Sequence, residues 1–400
     1  IILMRVTRKI FTPEQELLLC CTRTEADAES QERVRELLSG EIDWAQSIKQ
    51  ARRHGVMPLL YRCLNARWRN AVPHSVIEKL RKDFDFNAKR NLMLIGELFG
   101  ILDLFSALDI PVIVLKGPAM AQALYGDLSL RQFADIDILI PKKQVQRAKE
   151  VLLSRGYQQQ FTLNTAQENS FLSSGNEYLF QREEGIFLLE IHWDVVSRYF
   201  PVPLVADHLW ERAHSISLCG RDILVLSPED MFLAHCIHGT THTWERLGWI
   251  GDMAEMLRKY DDLDWKRLFQ RAQELRVRRA FLLCLSLAKE LLDAEIPQCL
   301  LREMDDDKTI GDLTLRISQK LFQNSDGEAG VLTRALTHLR IRDHWADRIF
   351  HLLSLIFKPQ PTDWETRPLP EGLFPLYFFI RPIRLSVVYG RRLLARISFR

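Results

Sequence analysis

Near residue 109 the apolar pattern of this chain changes its period, and near residue 227 it changes back, which restricts the fold to helices on either side of a sheet. Before the first change, Leu92, Ile95, Leu98, Phe99, Leu102 and Phe105 recur at i, i+3, i+4 spacing, the stripe of a helix with one face against a core. Shorter stretches of the same period cover 34–38, 44–51 and 76–86. Thr12-Pro13-Glu14-Gln15 supplies the first helix start: a capping threonine, a proline at the first helical position and a glutamine that can reach back. Residues 1–108 read as an N-terminal helical lobe. In 109–226 the period shortens. Pro111-Val112-Ile113-Val114-Leu115 is β-branched, Gly117 and Pro118 punctuate it, 119–125 reads as a helix, and 136–140 is a strand closed by Pro141. An amphipathic helix over 144–154 stops at Gly156, and strands follow at 177–181 and 186–193. From Ser227-Pro228-Glu229-Asp230, a strong helix start, helical segments fill 227–400 apart from a proline-rich loop at 358–369. The expected fold is α+β: a small mixed β-sheet core flanked by N- and C-terminal helical lobes, helix-dominated overall.

Composition excludes whole classes without selecting one. In 400 residues, 47% hydrophobic and 26% charged content is that of an ordinary globular protein, so disordered and fibrous readings fall away. Seven cysteines, an odd number with no C-x-x-C pair, argue against a disulfide framework or zinc ribbon and predict reduced thiols in a cytoplasmic protein. The first ten residues lack the apolar run and cleavage site of a signal peptide, and the longest apolar run, 372–380, is too short to span a bilayer. The net charge of +2 says little, but after Ile380 come Arg381, Arg384, Arg391, Arg392, Arg396 and Arg400 with no acid. That basic C-terminal tail is where an anionic partner would be met. A closing helix with solvated arginines is preferred there over membrane or nucleic-acid contact.

The chemistry concentrates in Phe133-Ala134-Asp135-Ile136-Asp137-Ile138-Leu139-Ile140. Strand side chains alternate, so Asp135 and Asp137 share one face while Ile136, Ile138 and Ile140 enter the core. Two carboxylates held together repel unless a cation sits between them, and oxygen-only ligands suit Mg²⁺ or Mn²⁺ bound with substrate phosphates. In Leu188-Leu189-Glu190-Ile191-His192-Trp193, Glu190 and His192 share the polar face, and a neighbouring strand would make Glu190 the third metal ligand. Lys116-Gly117 lies where a strand turns into a helix, a place for phosphate contacts, and Arg131 could reach the same phosphates or pair with a carboxylate. His192 could orient a bound group, act as a base, or simply pack. Alone, an Asp-x-Asp is more often a solvated strand end than a metal site. The order of strand, glycine turn, helix, Asp-x-Asp strand and acid-bearing strand is what gives it weight.

Val114-Leu115-Lys116-Gly117, Tyr125, Arg131, Asp135-Ile136-Asp137 and Glu190-Ile191-His192-Trp193 together resemble the uncharacterised bacterial nucleotidyltransferase family, a branch of the polymerase-β superfamily. The likeness extends to Trp44, Ala51, His54-Gly55 and Pro58-Leu59-Leu60-Tyr61 upstream, and to His235, His238, His242, Trp244, Trp249 and Asp252 downstream. It implies metal-dependent use of a nucleoside triphosphate, with the nucleotidyl group passed to an acceptor hydroxyl or amine that the family leaves unknown; the lack of a basic stripe near the core favours a small molecule or protein over long nucleic acid. On that reading Asp135, Asp137 and Glu190 are catalytic and metal-binding, and Lys116, Gly117, Arg131 and His192 contact the nucleotide. One departure stands out: Pro118 follows the turn glycine where the superfamily usually has Gly or Ser, and proline has no N–H to offer a phosphate. The alternative is therefore a catalytically lapsed nucleotide-binding or interaction protein. His235, His238 and His242 share a helix face, which admits a transition-metal site, but lining the interface with the sheet or the nucleotide is preferred. Trp244 and Trp249 read as core in preference to a base-stacking wall.

Overall fold

The computed structural model describes residues 11–25, 27–195, 206–323 and 328–397. It is α+β and helix-dominated, with one mixed sheet. The strands are β1 (Ile113–Val114), β2 (Ile136–Leu139), β3 (Gln158–Gln159), β4 (Glu177–Arg182), β5 (Phe187–His192), β6 (His214–Leu218) and β7 (Arg221–Val225). Their order in the sheet is β3-β4-β5-β2-β1-β7-β6. β2 runs parallel to β5 and antiparallel to β1, so the two short central strands are paired on both edges.

Alternation along the strands gives the sheet two different faces. Val114, Ile136, Ile138, Leu189, Ile191 and Val225 point to one side and bury against Leu94, Leu98 and Phe105 of the helix His74–Ser106 and Ala148 and Leu152 of the helix Val145–Ser154. The other side is apolar only in part. There Ile113 and Leu139 join a second core built by helices from both ends of the chain, including Pro13–Thr22, Trp44–Arg53, Met57–Arg67, Pro228–Thr241, Leu247–Lys259 and Arg278–Leu292. The two ends meet closely. Gly248 donates its N–H to the His54 carbonyl at 2.9 Å, and a Cβ at Gly248 would stand 2.9 Å from that same oxygen, so only glycine fits. The His54 ring, 0% exposed, accepts the Leu247 N–H at Nδ1 (3.3 Å) and meets the Phe322 ring edge-on. Burial, then the Arg53 and Arg246 charges, depress its pKa to about 4.

The structure revises several sequence expectations. Residues 74–106 form one continuous helix where two stretches were read. Helices Met57–Arg67 and Thr165–Ser174 and strands β3, β6 and β7 were not anticipated. The loop at 358–369 contains a short helix, Pro361–Thr366, started by Gln360 and Asp363. The C-terminal arginines are not uniformly solvated. Arg381 is buried and donates to Asp363 (2.7 Å) and to the Leu355 carbonyl, and Arg384 donates to Asp363 (2.7 Å). Two of the six arginines are thereby committed to an internal carboxylate, and Arg400 lies outside the described residues.

Candidate functional site

The register of β2 on β5 sets Asp137 opposite Glu190 and Leu139 opposite His192. Because neighbouring residues in a parallel pair point the same way, Asp137, Glu190 and His192 converge on the half-polar face. One ligand atom from each lies within 4.8 Å of the others, among the described residues the single His/Cys/Asp/Glu group close enough to hold a metal ion. His192 Nε2 is 3.2 Å from Asp137 and 3.3 Å from Glu190, and its Nδ1 is 3.1 Å from Glu177, which the antiparallel β4–β5 register places opposite it. Asp135 sits one residue before β2, outside this group, at the rim of the same cleft.

Lys116 arrives from the turn after β1. The Leu115 N–H still pairs with the Asp137 carbonyl (3.0 Å), and the next residue extends its ammonium to 2.7 Å from the Asp137 carboxylate and 4.0 Å from Glu190. Gly117 then takes φ +56, ψ −116, a conformation that side-chain-bearing residues pay heavily to adopt, and a Cβ there would stand 3.4 Å from the Asp135 carbonyl oxygen. Pro118 occupies the first position of the helical turn Pro118–Met120, which runs into a π-helical segment, Ala121–Tyr125.

Charge in the cluster is divided unevenly. Burial disfavours the Lys116 ammonium, but Asp137, Glu190 and Asp135 outweigh it and raise its pKa. Burial would likewise lift Asp137, yet Lys116 and His192 hold it well below the usual carboxylate range. Glu190 goes the other way, pushed up to about 7 by burial and the Asp137 charge. Burial, then Asp137, also raise Asp135. For His192, burial is outweighed by Asp137, Glu177 and Glu190, and its pKa stands at about 10.

Arg131 is turned partly away. Its guanidinium is 11% exposed and bonded through Nε (3.2 and 3.1 Å) and Nη2 (3.0 Å) to Asp252, which also accepts from Tyr125 Oη at 2.9 Å. Arg131 still lines the cleft, and its Nη1 donates to the Gly117 carbonyl at 3.4 Å, tying the turn to the helix Leu247–Lys259. The helix Pro228–Thr241 closes the cleft opposite the sheet. His235 lies 3.6 Å from Asp252, His238 Nδ1 is 3.5 Å from the Lys116 ammonium, and the His242 ring is 5.4 Å from that of Trp249. Burial, then the Lys116 charge, lower the pKa values of His238 and His242, the former strongly. The three histidines line the wall facing the sheet and form no metal group with one another. Trp244 is core at 0% exposed, whereas Trp249 lines the cleft.

The cleft offers about 670 Å³, within the range of pockets that hold molecules of nucleotide size. Glu177 went unnoticed in the sequence because its role depends on strand pairing. A search for the acid opposite His192 across the 182–187 turn would have found it.

No curated protein matches the chain. A family model described as "Uncharacterised nucleotidyltransferase" matches residues 40–293, which takes in the long helix, the whole sheet and the histidine-bearing wall. With Asp137, Glu190, Lys116 and Gly117 all inside that span, the chain belongs to the uncharacterised nucleotidyltransferase family.

Proposed function

We propose that the cleft binds a nucleoside triphosphate together with Mg²⁺ or Mn²⁺ and transfers its nucleotidyl group to an acceptor hydroxyl or amine, with release of pyrophosphate. The observation that carries this is the Asp137–Glu190 register, which aims two carboxylates from adjacent strands into a cleft closed by a glycine turn and a cationic lysine. The donor set fits a hard divalent cation: Asp137 and Glu190 offer oxygens, Asp135 a further one at the rim, and His192 a nitrogen once it gives up its proton. Bound there, the ion would neutralise phosphate charge and polarise the reacting phosphoryl group.

The protein's own groups divide the remaining work. Lys116 and Arg131, both held cationic, face the triphosphate, and Gly117 lets the backbone approach it. Glu190 completes the metal set as a carboxylate and, from that position, helps ionise the acceptor. His192, bridging Asp137 and Glu190, orients both carboxylates. Acceptors smaller than long nucleic acid suit a cleft of this size.

Incubation with α-labelled nucleoside triphosphates, Mg²⁺ or Mn²⁺ and fractionated cell extract should release pyrophosphate and label an acceptor, and Asp137→Ala should do neither. One observation favours a second reading, a nucleotide-binding protein without turnover: Pro118 withholds an N–H at the turn. Triphosphate binding that Asp137→Ala abolishes, with no pyrophosphate from the wild type under any condition, would select it.

A further inference from the structure

The last two long helices are built inside out. In Trp345–Phe357 the buried positions are Asp347 and His351, bonded respectively to Arg276 (3.0 Å) and to Arg342 (3.0 Å), itself 2% exposed. The solvent side carries Trp345 (73% exposed), Ile349, Phe350 and Leu353. The helix Tyr377–Ile397 packs beside it in the same sense. Arg381 faces inward to Asp363, and Phe379 (70%), Ile383 (65%) and Val387 face outward at i, i+4, i+8. Thirteen of the nineteen large apolar side chains exposed among the described residues lie between 345 and 387; of the other six, three are on the helix His74–Ser106 and three stand singly elsewhere. A patch of this extent, with its polar groups satisfied on the inner side, marks a contact surface.

Charge selects the occupant. The helix Tyr377–Ile397 carries five arginines and no acid, and with Arg381 and Arg384 spent on Asp363, its sequence still holds Arg391, Arg392 and Arg396, C-terminal to Val387. A second copy docked symmetrically would offer this run no acid from the same face, since the sole carboxylate on either helix, Asp347, is buried against Arg276. Anionic headgroups complement it, and apolar area combined with a cationic run is how helices lie in a membrane interface. No helix among the described residues is long and apolar enough to cross a bilayer. We infer that the outer face of helices 345–357 and 377–397 docks the protein on an anionic membrane surface, in the plane of the headgroups.

The test is flotation of the full chain with phosphatidylcholine vesicles, with and without phosphatidylglycerol. The wild type should float with the anionic vesicles and bind neutral ones roughly a hundredfold more weakly, from three arginines near the surface. Phe379→Glu with Ile383→Glu should abolish flotation at an unchanged unfolding midpoint, and Arg391→Glu with Arg392→Glu should remove the preference for anionic lipid. Should the first pair lower the midpoint, Trp345→Ser with Phe350→Ser, on the neighbouring helix, gives the same reading. The inference is overturned if the wild type floats with neither vesicle, if the apolar variants float as it does, or if they merely convert a dimer that ignores vesicles into a monomer, which would make the face a self-interface.

Discussion

Asp230 and Asp137 are equally buried, 0% and 1% exposed, yet the charges around them are balanced in opposite directions. Asp230, in the first turn of the helix Pro228–Thr241, accepts two bonds from Arg212 (2.7 and 3.0 Å), another from Arg271 and a fourth from the Ser227 hydroxyl (3.1 Å). Two guanidinium groups serve one carboxylate, and no room is left. Around Asp137 the acids Asp135, Glu177 and Glu190 crowd in, answered at close range by Lys116 and His192 and more remotely by Arg131, which is itself spent on Asp252. An arginine surplus closes a structural ion pair, while an acid surplus opening on a cleft leaves a deficit that a divalent cation with its substrate can fill.

The contrast can be broken at either aspartate. Asp137→Asn should cost about four orders of magnitude in nucleotidyl transfer, ~5 kcal/mol of transition-state stabilisation, while thermal unfolding stays close to wild type. Retained pyrophosphate release would remove the functional meaning of the acid surplus. Asp230→Ala should do the reverse, costing about 2–3 kcal/mol in urea titrations because Arg271 and the more exposed Arg212 lose charge-assisted bonds to a fully buried carboxylate. A loss below about 1 kcal/mol would show that the arginines are solvated and the pair is not closed.

Two smaller effects sharpen the picture. His54 represents a third solution, a buried titratable group that stays neutral. Its folded pKa of about 4 lies below the unfolded value of 6.5, so the stability it contributes is whole above pH 6.5 and is lost as pH falls toward 4, about 2 kcal/mol by pH 5. His54→Gln should flatten that fall in denaturant titrations run at each pH, and an unaltered slope would assign the acid sensitivity elsewhere. Gly117→Ala should cost about 1–2 kcal/mol through its positive φ. Calorimetric titration with a nucleoside triphosphate should show weakened binding, and unchanged affinity would mean that the turn does not touch phosphate.

What could be read in advance was whatever local alternation dictates. Ile136 and Ile138 against Asp137, and Leu189 and Ile191 against Glu190 and His192, declare their faces at a period of two, and the glycine turn and the starts at Thr12 and Ser227 are equally local. The β6–β7 hairpin was legible but missed. Cys219-Gly220, both at positive φ, form the tight two-residue turn that joins such strands, but cysteine there is an unusual turn residue. Partnerships between distant residues could not be read. Nothing near Arg131 announces Asp252, nothing near Arg381 announces Asp363, and Lys116 meets Asp137 only because β1 pairs with β2.

The interleaving of the two chain ends in one core carries a timing consequence for synthesis. Leu17 and Leu18 are covered in part by the helix Arg278–Leu292, which leaves the ribosome on the order of 260 residues later, about 15–50 s at ordinary elongation rates. The early helices can pack on one another in that interval, but the apolar side that the later helix covers stays open. The cleft, whose far wall is the helix Pro228–Thr241, likewise cannot take shape until that helix has been made.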